Sequence, residues 1–540
     1  MEKVIIFGLD GADPVLLTRF IHEGHLPNLA GLINSGHFSP LCSTNPPLTP
    51  QAWTSFVCGV NPGKHGVFDF GEVPAHSYES RLNSSIDRKT KGYWDYLSDL
   101  GLSCGVINLP LSHPAEWLER GYMIGGMHTP NLSELSPHPV IHELLKGEFS
   151  DYVIDVMSYW YKDMREFVGR VHAMETRRTD LVLRLRQELP VDVLFVTWVG
   201  IDRICHAFMD QQEFLVGAHS DWRYQGLVLD IYRHLDLQVG RVMEACGSTP
   251  MYMVISDHGF GDLKKDVYLN NYLQELGWLK FKPEELSRSV LTHPNWNYGP
   301  FLSMFMKGMM HLPWVQRRLA WQQKHSVAVN WGKTVAFSTG LFGNVFLNRK
   351  GRFPEGFLDK DSDEYETLRR SIMDDLYLLR DQDQKIVDEI YLAEDIYAGP
   401  FVEKAPDLIL KMCDYSYITR GGFEFHSNQI FDTPAINHSG NHRMLGILIL
   451  SGSMVRKSDQ TDVKNCLGRE VNLTDLIPTM MAYLKSPIPT EMDGMVLEFL
   501  FKESLAARFS ALDIYRGQSS GESVVCEEVR QRLDALGYLS

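Results

Sequence analysis

An adjacent acid and imidazole, Asp257-His258, stand in VISDHGF directly after an apolar run. Two such side chains at a strand end can face one crevice if the chain turns there, and Gly259 permits a sharp exit. A second pair, Asp202 and His206, lies in GIDRICH. On a helix these positions share one face, so a carboxylate oxygen and an imidazole nitrogen can reach one cation. Asp10 ends the first apolar run, in FGLDGAD, and His442 stands just before the last one, in NHSGNHRMLGILIL, with His438 as a nearby competitor. Thr49, in NPPLTPQAWTSFVCG, is expected to be the N-cap of a helix with Pro50 at its first position and Gly59 as its stop. Its hydroxyl would then project where free N–H groups and the helix dipole favour an anion. Each feature alone has an ordinary reading: a surface turn, an N-cap at Asp202, a turn former at Asp10, a plain cap at Thr49. As a set they are what two divalent metals and a nucleophile need. Two ions about 4 Å apart can activate an attacking oxygen and neutralise a leaving one, and coordination lowers the pKa of an otherwise poor hydroxyl nucleophile.

The elements that must position these groups are legible as short apolar runs at residues 4–9, 104–109, 191–197, 251–256, 407–410 and 445–450. Continuous Val/Ile/Leu runs are what a parallel sheet covered on both faces produces. Helical patterns at 174–189 and 227–246 lie between them, so the expected class is an α/β layered sandwich. In such sheets the working residues sit at the carboxyl ends of strands, and three runs lead directly into Asp10, Asp202 and Asp257. The stretch from 262 to 400 differs: a Met-, Trp- and Phe-rich segment at 295–325, a hairpin-like 343–354, and a charged amphipathic helix at 365–383. The expected division is a catalytic core over 1–261, an inserted cap over 262–400, and the rest of the core over 401–540 with a helical tail.

The chain has 540 residues, 44% hydrophobic and 22% charged, which excludes a long disordered or collagen-like protein. A net charge of −16 excludes wrapping of nucleic acid or coating of an anionic membrane. Eight scattered cysteines without a CxxC pair suit free thiols in a reducing compartment. Every apolar stretch falls below the roughly 20 residues a membrane span needs. A soluble, cytoplasmic protein is expected.

The stretches FGLDGADP, LPNLAGLINSG, STNPPLTPQAWTSFVCGVNPGKHGVFDF, GIDRICH, VISDHGF, SGNHRMLGILILSG and DLIPTMMAYLKSPIPTEMDGMVL resemble, in order and spacing, the alkaline phosphatase superfamily. The closer resemblance is to its type I phosphodiesterase/nucleotide pyrophosphatase branch and the phosphohydrolase/phosphomutase proteins beside it. The resemblance implies an alkaline-phosphatase-like three-layer sandwich with a mostly parallel sheet. It also implies roles: Asp10, Thr49, Asp257 and His258 around one metal, and Asp202, His206 and His442 around the second. Thr49 would attack phosphorus and carry a covalent phospho-intermediate. Family members usually use zinc and some use manganese. His442 rather than His438 matches the family's Gly-x-His position.

The chain also departs from the pattern. Nucleotide pyrophosphatases have an Asn after the nucleophile helix that contacts the phosphoryl oxygen, whereas here GKHGVFDF has none. Lys64 or His65 is a candidate replacement, and Asn108 and His128 occupy loops that could face the crevice. A sulfatase needs Cys or Ser before x-Pro-x-Arg, but Thr49 is followed by PQAW. The expectation is a two-metal hydrolase of a small phosphorylated substrate, foremost a phosphodiesterase. A phosphomutase or phosphomonoesterase on the same site is the alternative, ahead of a non-catalytic binding protein. The cap is expected to set the substrate.

Overall fold

The computed structural model describes residues 2–158, 161–211, 226–282, 329–420, 429–434, 438–457 and 471–517. The aromatic segment at 295–325 and the tail after 517 lie outside the described residues. Seven strands form the central sheet: β1 (Val4–Leu9), β2 (His37–Cys42), β3 (Cys104–Leu109), β4 (Gly121–Gly125), β5 (Val193–Trp198), β6 (Met251–Ile255) and β7 (Leu445–Ser451). Their spatial order is β2-β7-β6-β1-β5-β3-β4. β1 pairs in parallel with β5 and β6, and β3 in parallel with β4 and β5. β7 runs antiparallel to both β6 and β2, so β2 points the same way as the parallel set.

Alternate residues of each central strand feed two separate cores. Ile5, Phe7 and Leu9 pack with α2 (Met164–Glu188), α3 (Gly200–Phe208) and α4 (Leu227–Cys246) on one face. Val4 and Ile6 pack with the helices Thr49–Cys58 and Leu476–Tyr483 on the other. Because both faces are covered, these strands have no polar side, which is why they read as continuous apolar runs. The two strands without such a run lie at the sheet's edges: β2 carries Pro40, a residue suited to an edge, and β4 is short and glycine-bounded.

A second unit has its own four-stranded sheet, in the order Ala336–Ser338, Asn344–Leu347, Leu408–Met412, Val387–Leu392, beside the helix Asp363–Tyr377. Its core gathers Val73 and residues between Val267 and Tyr417. The run at 407–410, expected in the parallel sheet, therefore belongs here. A short apolar run carries no label for the sheet it joins, and Leu408–Met412 pairs antiparallel with both neighbours. Of the hairpin-like segment expected at 343–354, Asn344–Leu347 is a strand, and its antiparallel partner, Ala336–Ser338, lies before the segment rather than within it.

β1 is held tightly against the helix that begins at Thr49. A Cβ built on Gly8 would lie 2.7 Å from the Trp53 ring, so only glycine lets that fully buried indole lie across the strand. Gly8→Val should overpack this contact and cost about 1–3 kcal/mol. Urea unfolding measures it, and an unchanged midpoint would show that the Trp53 contact yields freely.

Candidate metal centre and nucleophile

The polarity of the sheet decides where the chemistry-bearing residues meet. Asp10 follows β1, Asp202 lies in α3 just after β5, and Asp257-His258 follow β6. All three strands are parallel, so these groups emerge at one edge of the sheet. β7 is antiparallel, so its entrance, not its exit, lies at that edge, and His442 precedes it. β2 points with the parallel set, and the helix Thr49–Cys58 starts just beyond its end. A short ribbon completes the arrangement: Gly440–Arg443 pairs antiparallel with Gly259–Asp262, with His442 opposite Phe260. Asp10, Thr49, Asp202, His206, Asp257, His258 and His442 are all buried.

Two clusters result. In the first, Asp202 Oδ1 lies 3.3 Å from both His206 Nε2 and His442 Nε2, and the two imidazole nitrogens are 3.2 Å apart. A tetrahedral ion with bonds of about 2.0–2.1 Å separates its ligand atoms by about 3.3–3.4 Å, so this triangle matches one face of such a site. In the second, His258 Nε2 is 3.1 Å from Thr49 Oγ1, 3.2 Å from Asp257 Oδ2 and 3.6 Å from Asp10 Oδ1. Asp202 stands between the clusters, since Asp10, Asp202 and His258 also converge. Asp10 Oδ1, Asp202 Oδ1 and Asp257 Oδ2 are buried with no hydrogen-bond donor among the described residues. Buried carboxylate oxygens in that state are costly unless a cation meets them, and the donor set fits divalent metals.

The surrounding contacts orient each ligand. His206 Nδ1 meets the Gly440 carbonyl at 3.0 Å, His442 Nδ1 that of Pro47 at 2.8 Å, and His258 Nδ1 that of Gly259 at 3.1 Å. Donating Nδ1–H to a carbonyl leaves the Nε2 lone pair facing the centre. Asp10 Oδ2 accepts from Trp53 Nε1 at 2.9 Å. Asp202 Oδ2 is gripped by Arg203, which also binds Asp155 through two bonds of 2.9 and 2.8 Å. Each of these aspartates thus spends one oxygen on the protein and turns the other inward. Trp53, Arg203 and Asp155 escaped the sequence reading. Trp53 lies one turn after Thr49 and Arg203 adjoins Asp202, so their positions were a usable signal; the link to Asp155 is purely tertiary.

The charges explain the titration behaviour. Burial, then the Asp202 charge, holds the Asp10 carboxyl well above the usual range. Burial, then Asp10 and Asp202, does the same to Asp257. At Asp202 burial also pushes upward, but His206, His442 and Arg203 together outweigh it and leave the group well below its ordinary value. Burial, then the His442 ring, drives His258 well down, and burial lowers His442. The lowered His258 and His442 rings offer a divalent ion free lone pairs, whereas the raised Asp10 and Asp257 carboxyls must release their protons as an ion binds, so metal affinity should rise with pH.

Several expected positions differ. Thr49 is not the N-cap: Leu48 is, Thr49 is the first helical residue, and no side-chain cap bond forms. Its hydroxyl points to His258 instead. Lys64 turns away, bonding the Glu491 carbonyl at 2.7 Å and Asp493 at 2.5 Å. His65 has both nitrogens occupied, by Ser55 Oγ at 2.9 Å and the Val67 N–H at 3.2 Å, and burial takes it to about 3 as a neutral structural ring. Neither replaces the missing Asn. Asn108 sits in left-handed backbone and donates to the Thr197 carbonyl at 2.9 Å, tying β3 to β5. His128 is buried in the loop after β4. His438 touches the outer nitrogen of His206 at 3.1 Å, on the side away from His442.

Two outcomes are expected. His442→Ala should remove about one metal per chain in plasma mass spectrometry, while His438→Ala should leave the stoichiometry unchanged; the reverse would exchange their roles. The second concerns Asp69, whose Oδ1 accepts from the Phe70 N–H at 2.6 Å and whose Oδ2 accepts from Asn344 at 3.3 Å. Burial lifts its carboxyl from 3.8 to about 7. The folded chain then holds this proton where the unfolded chain has lost it, so stability falls as pH climbs from about 4 through 7 and levels off above. Asp69→Asn should flatten that slope in urea unfolding at pH 5 and pH 8.

The pattern of the type I phosphodiesterase/nucleotide pyrophosphatase family matches residues 4–424. No curated protein matches the chain in sequence. Among solved structures, phosphonoacetate hydrolase from Sinorhizobium meliloti 1021, in complex with phosphonoformate, is similar over 88% of this chain and 94% of its own, with a TM-score of 0.54 and 13% identity. Human ectonucleotide pyrophosphatase/phosphodiesterase 5 is similar over 93% of this chain and all of its own, with a TM-score of 0.51 and 12% identity. At such identities the likeness is one of fold, an α/β sandwich around a mostly parallel sheet. The family match extends from the first strand, across the Thr49 helix and both acid-histidine pairs, into the second unit. The chain belongs to the type I phosphodiesterase/nucleotide pyrophosphatase family and is a metal-dependent phosphohydrolase.

Proposed function

We propose that the chain hydrolyses a phosphodiester through a covalent phosphothreonine at Thr49. The observation that carries this reading is the Thr49 hydroxyl: released from capping, it lies 3.1 Å from His258 Nε2 among carboxylate oxygens that lack donors. Asp202, His206 and His442 hold one divalent cation, and Asp10, Asp257, His258 and Thr49 the other. The His/Asp donor set and the near-tetrahedral spacing favour zinc over manganese. When bound, such a pair supplies charge neutralisation and lowers the pKa of a nearby hydroxyl.

The protein's own groups do the rest. The first turn of the Thr49 helix offers unused N–H groups and a dipole to the phosphoryl oxygens. Thr49 Oγ1 attacks phosphorus and loses its proton to solvent, and the P–O bond to the leaving group breaks as the departing oxygen takes a proton from solvent to leave as an alcohol. Water then cleaves the phosphothreonine and restores the hydroxyl. A phosphorus oxyanion as substrate is consistent with the phosphonoformate bound to the phosphonoacetate hydrolase. The six cysteines described are free thiols, which supports a reducing, cytoplasmic setting.

The test is a panel of nitrophenyl phosphodiester, phosphomonoester, phosphonate and sulfate substrates with zinc or manganese added. The diester should be the best substrate and the sulfate inert. Thr49→Ala should lower kcat by about 10³-fold or more, because the nucleophile is gone. Since the hydroxyl caps nothing, stability should change by no more than about 1 kcal/mol. Thr49→Ser should retain part of the activity. Near-normal diester turnover by Thr49→Ala would replace the covalent route with direct attack by water.

A further inference from the structure

His128 lies in the loop after β4, at the sheet edge that carries the metal centre. It is 1% exposed, yet neither ring nitrogen has a hydrogen-bond partner among the described residues. A neutral imidazole carries one donor and one acceptor, and such groups are rarely left unpaired inside a protein. The loop is not displaced from the crevice. A Cβ on Gly126 would meet the Leu109 carbonyl at 2.3 Å, so the chain is pressed against the end of β3. Met127 packs in one small cluster with Leu48, which precedes Thr49, and with Phe342, whose ring is 5.8 Å from His442. The His128 ring lies edge-on to Phe70, 5.5 Å away.

Burial, then the charges of His113 and Arg203, take His128 to about 3, so the ring is neutral at physiological pH. It therefore adds no positive charge for a second anion. Arg203, the nearby guanidinium, is held by Asp202 and Asp155. What remains is one N–H donor and one ring-nitrogen acceptor beside an aromatic ring. Hydroxyl groups, which both donate and accept, complement that set. We propose that His128 forms a subsite for a hydroxyl group of a polyhydroxylated alcohol esterified to the phosphoryl group. The subsite rests on the phosphohydrolase reading and specifies the alcohol side of its substrate. His128 acts there as a positioning contact. A site built to bond a hydroxyl discriminates strongly against an analogue lacking it, by up to about 10⁴–10⁵-fold, because its own polar atoms are then left unpaired.

Calorimetry on the zinc-loaded full chain, with glycerol 3-phosphate and propyl phosphate as probes, tests this. The two share a carbon skeleton and differ in the hydroxyls. Wild type should bind glycerol 3-phosphate at least tenfold more tightly. His128→Leu should bring the ratio close to one, chiefly by losing affinity for the hydroxylated probe, and His128→Asn, which keeps a donor and an acceptor, should restore part of it. His128→Leu should also unfold at no lower a temperature than wild type when ligand-free, since it removes unpaired polar atoms rather than a bond. A wild-type ratio near one, or a ratio unchanged in His128→Leu, overturns the subsite. So does tighter binding of phosphonoacetate than of ethylphosphonate that disappears in His128→Leu, which would assign the position to a carboxylate. Inorganic phosphate is the control: if wild type does not bind it, the phosphohydrolase reading fails, and the subsite with it.

Discussion

Three carboxylates share one buried pocket. Asp10, Asp202 and Asp257 come from three different strand ends, each is at most 1% exposed, and each raises the cost of ionising another. Such a cluster is unfavourable in isolation, because burial removes the water that would solvate the charges. Much of the neighbouring structure manages this repulsion. Arg203 and Trp53 each take one oxygen of an aspartate, and the Gly11 N–H lies 3.3 Å from Asp257 Oδ1. The opposite oxygens are left facing one another and the three imidazoles. The fold thus stores an electrostatic demand that divalent cations satisfy.

Meeting that demand depends on strand direction. Six strands point one way and deliver groups from their carboxyl ends. The single antiparallel strand, β7, delivers His442 from its amino end. If β7 ran with the others, His442 would emerge at the opposite edge of the sheet. The Gly440–Arg443 ribbon fixes the last increments of position by setting His442 across from Phe260, which also packs edge-on against the His206 ring at 4.8 Å. Close approaches at Gly8 and Gly440, where a side chain would strike Trp53 and the Cys205 carbonyl, let the helices come near enough to bring Thr49 and His206 to the centre.

Around this centre the second unit contributes side chains as well as cover. Phe342 and Tyr415 join Leu48, Phe70 and Met127 in one cluster, so residues from both units wall the same crevice. Asp69 stands at that junction, with Asn344 of the second unit at 3.3 Å, in the segment where nucleotide pyrophosphatases have their Asn. The His128 ring, whose nitrogens have no hydrogen-bond partner among the described residues, lies edge-on to Phe70 of that cluster. The acid and histidine groups thus come from the ends of the central strands, whereas the residues of this cluster come from loops and from the second unit.

The sequence by itself determined the fold class and pointed to residues that meet at one edge of the sheet. Strands covered on both faces must be apolar throughout, and Asp or His directly beyond such runs must lie at a sheet edge. That reasoning points to Asp10, Asp202 and the Asp257-His258 pair; helical spacing adds His206, and the Pro50 start puts Thr49 at a helix N-terminus. Only the tertiary structure decided the rest. It moved Thr49 from cap to first helical residue, because His258, more than 200 positions away, offers its hydroxyl a partner. It took Lys64 and His65 out of the crevice, because Asp493 and Ser55 hold them elsewhere. It set Leu408–Met412 in a second sheet, because an apolar run specifies burial but not its neighbours. Local pattern reports whether a residue is buried and which element it occupies; strand direction, long-range pairing and the orientation of a polar side chain depend on contacts between distant segments, and no local pattern encodes them.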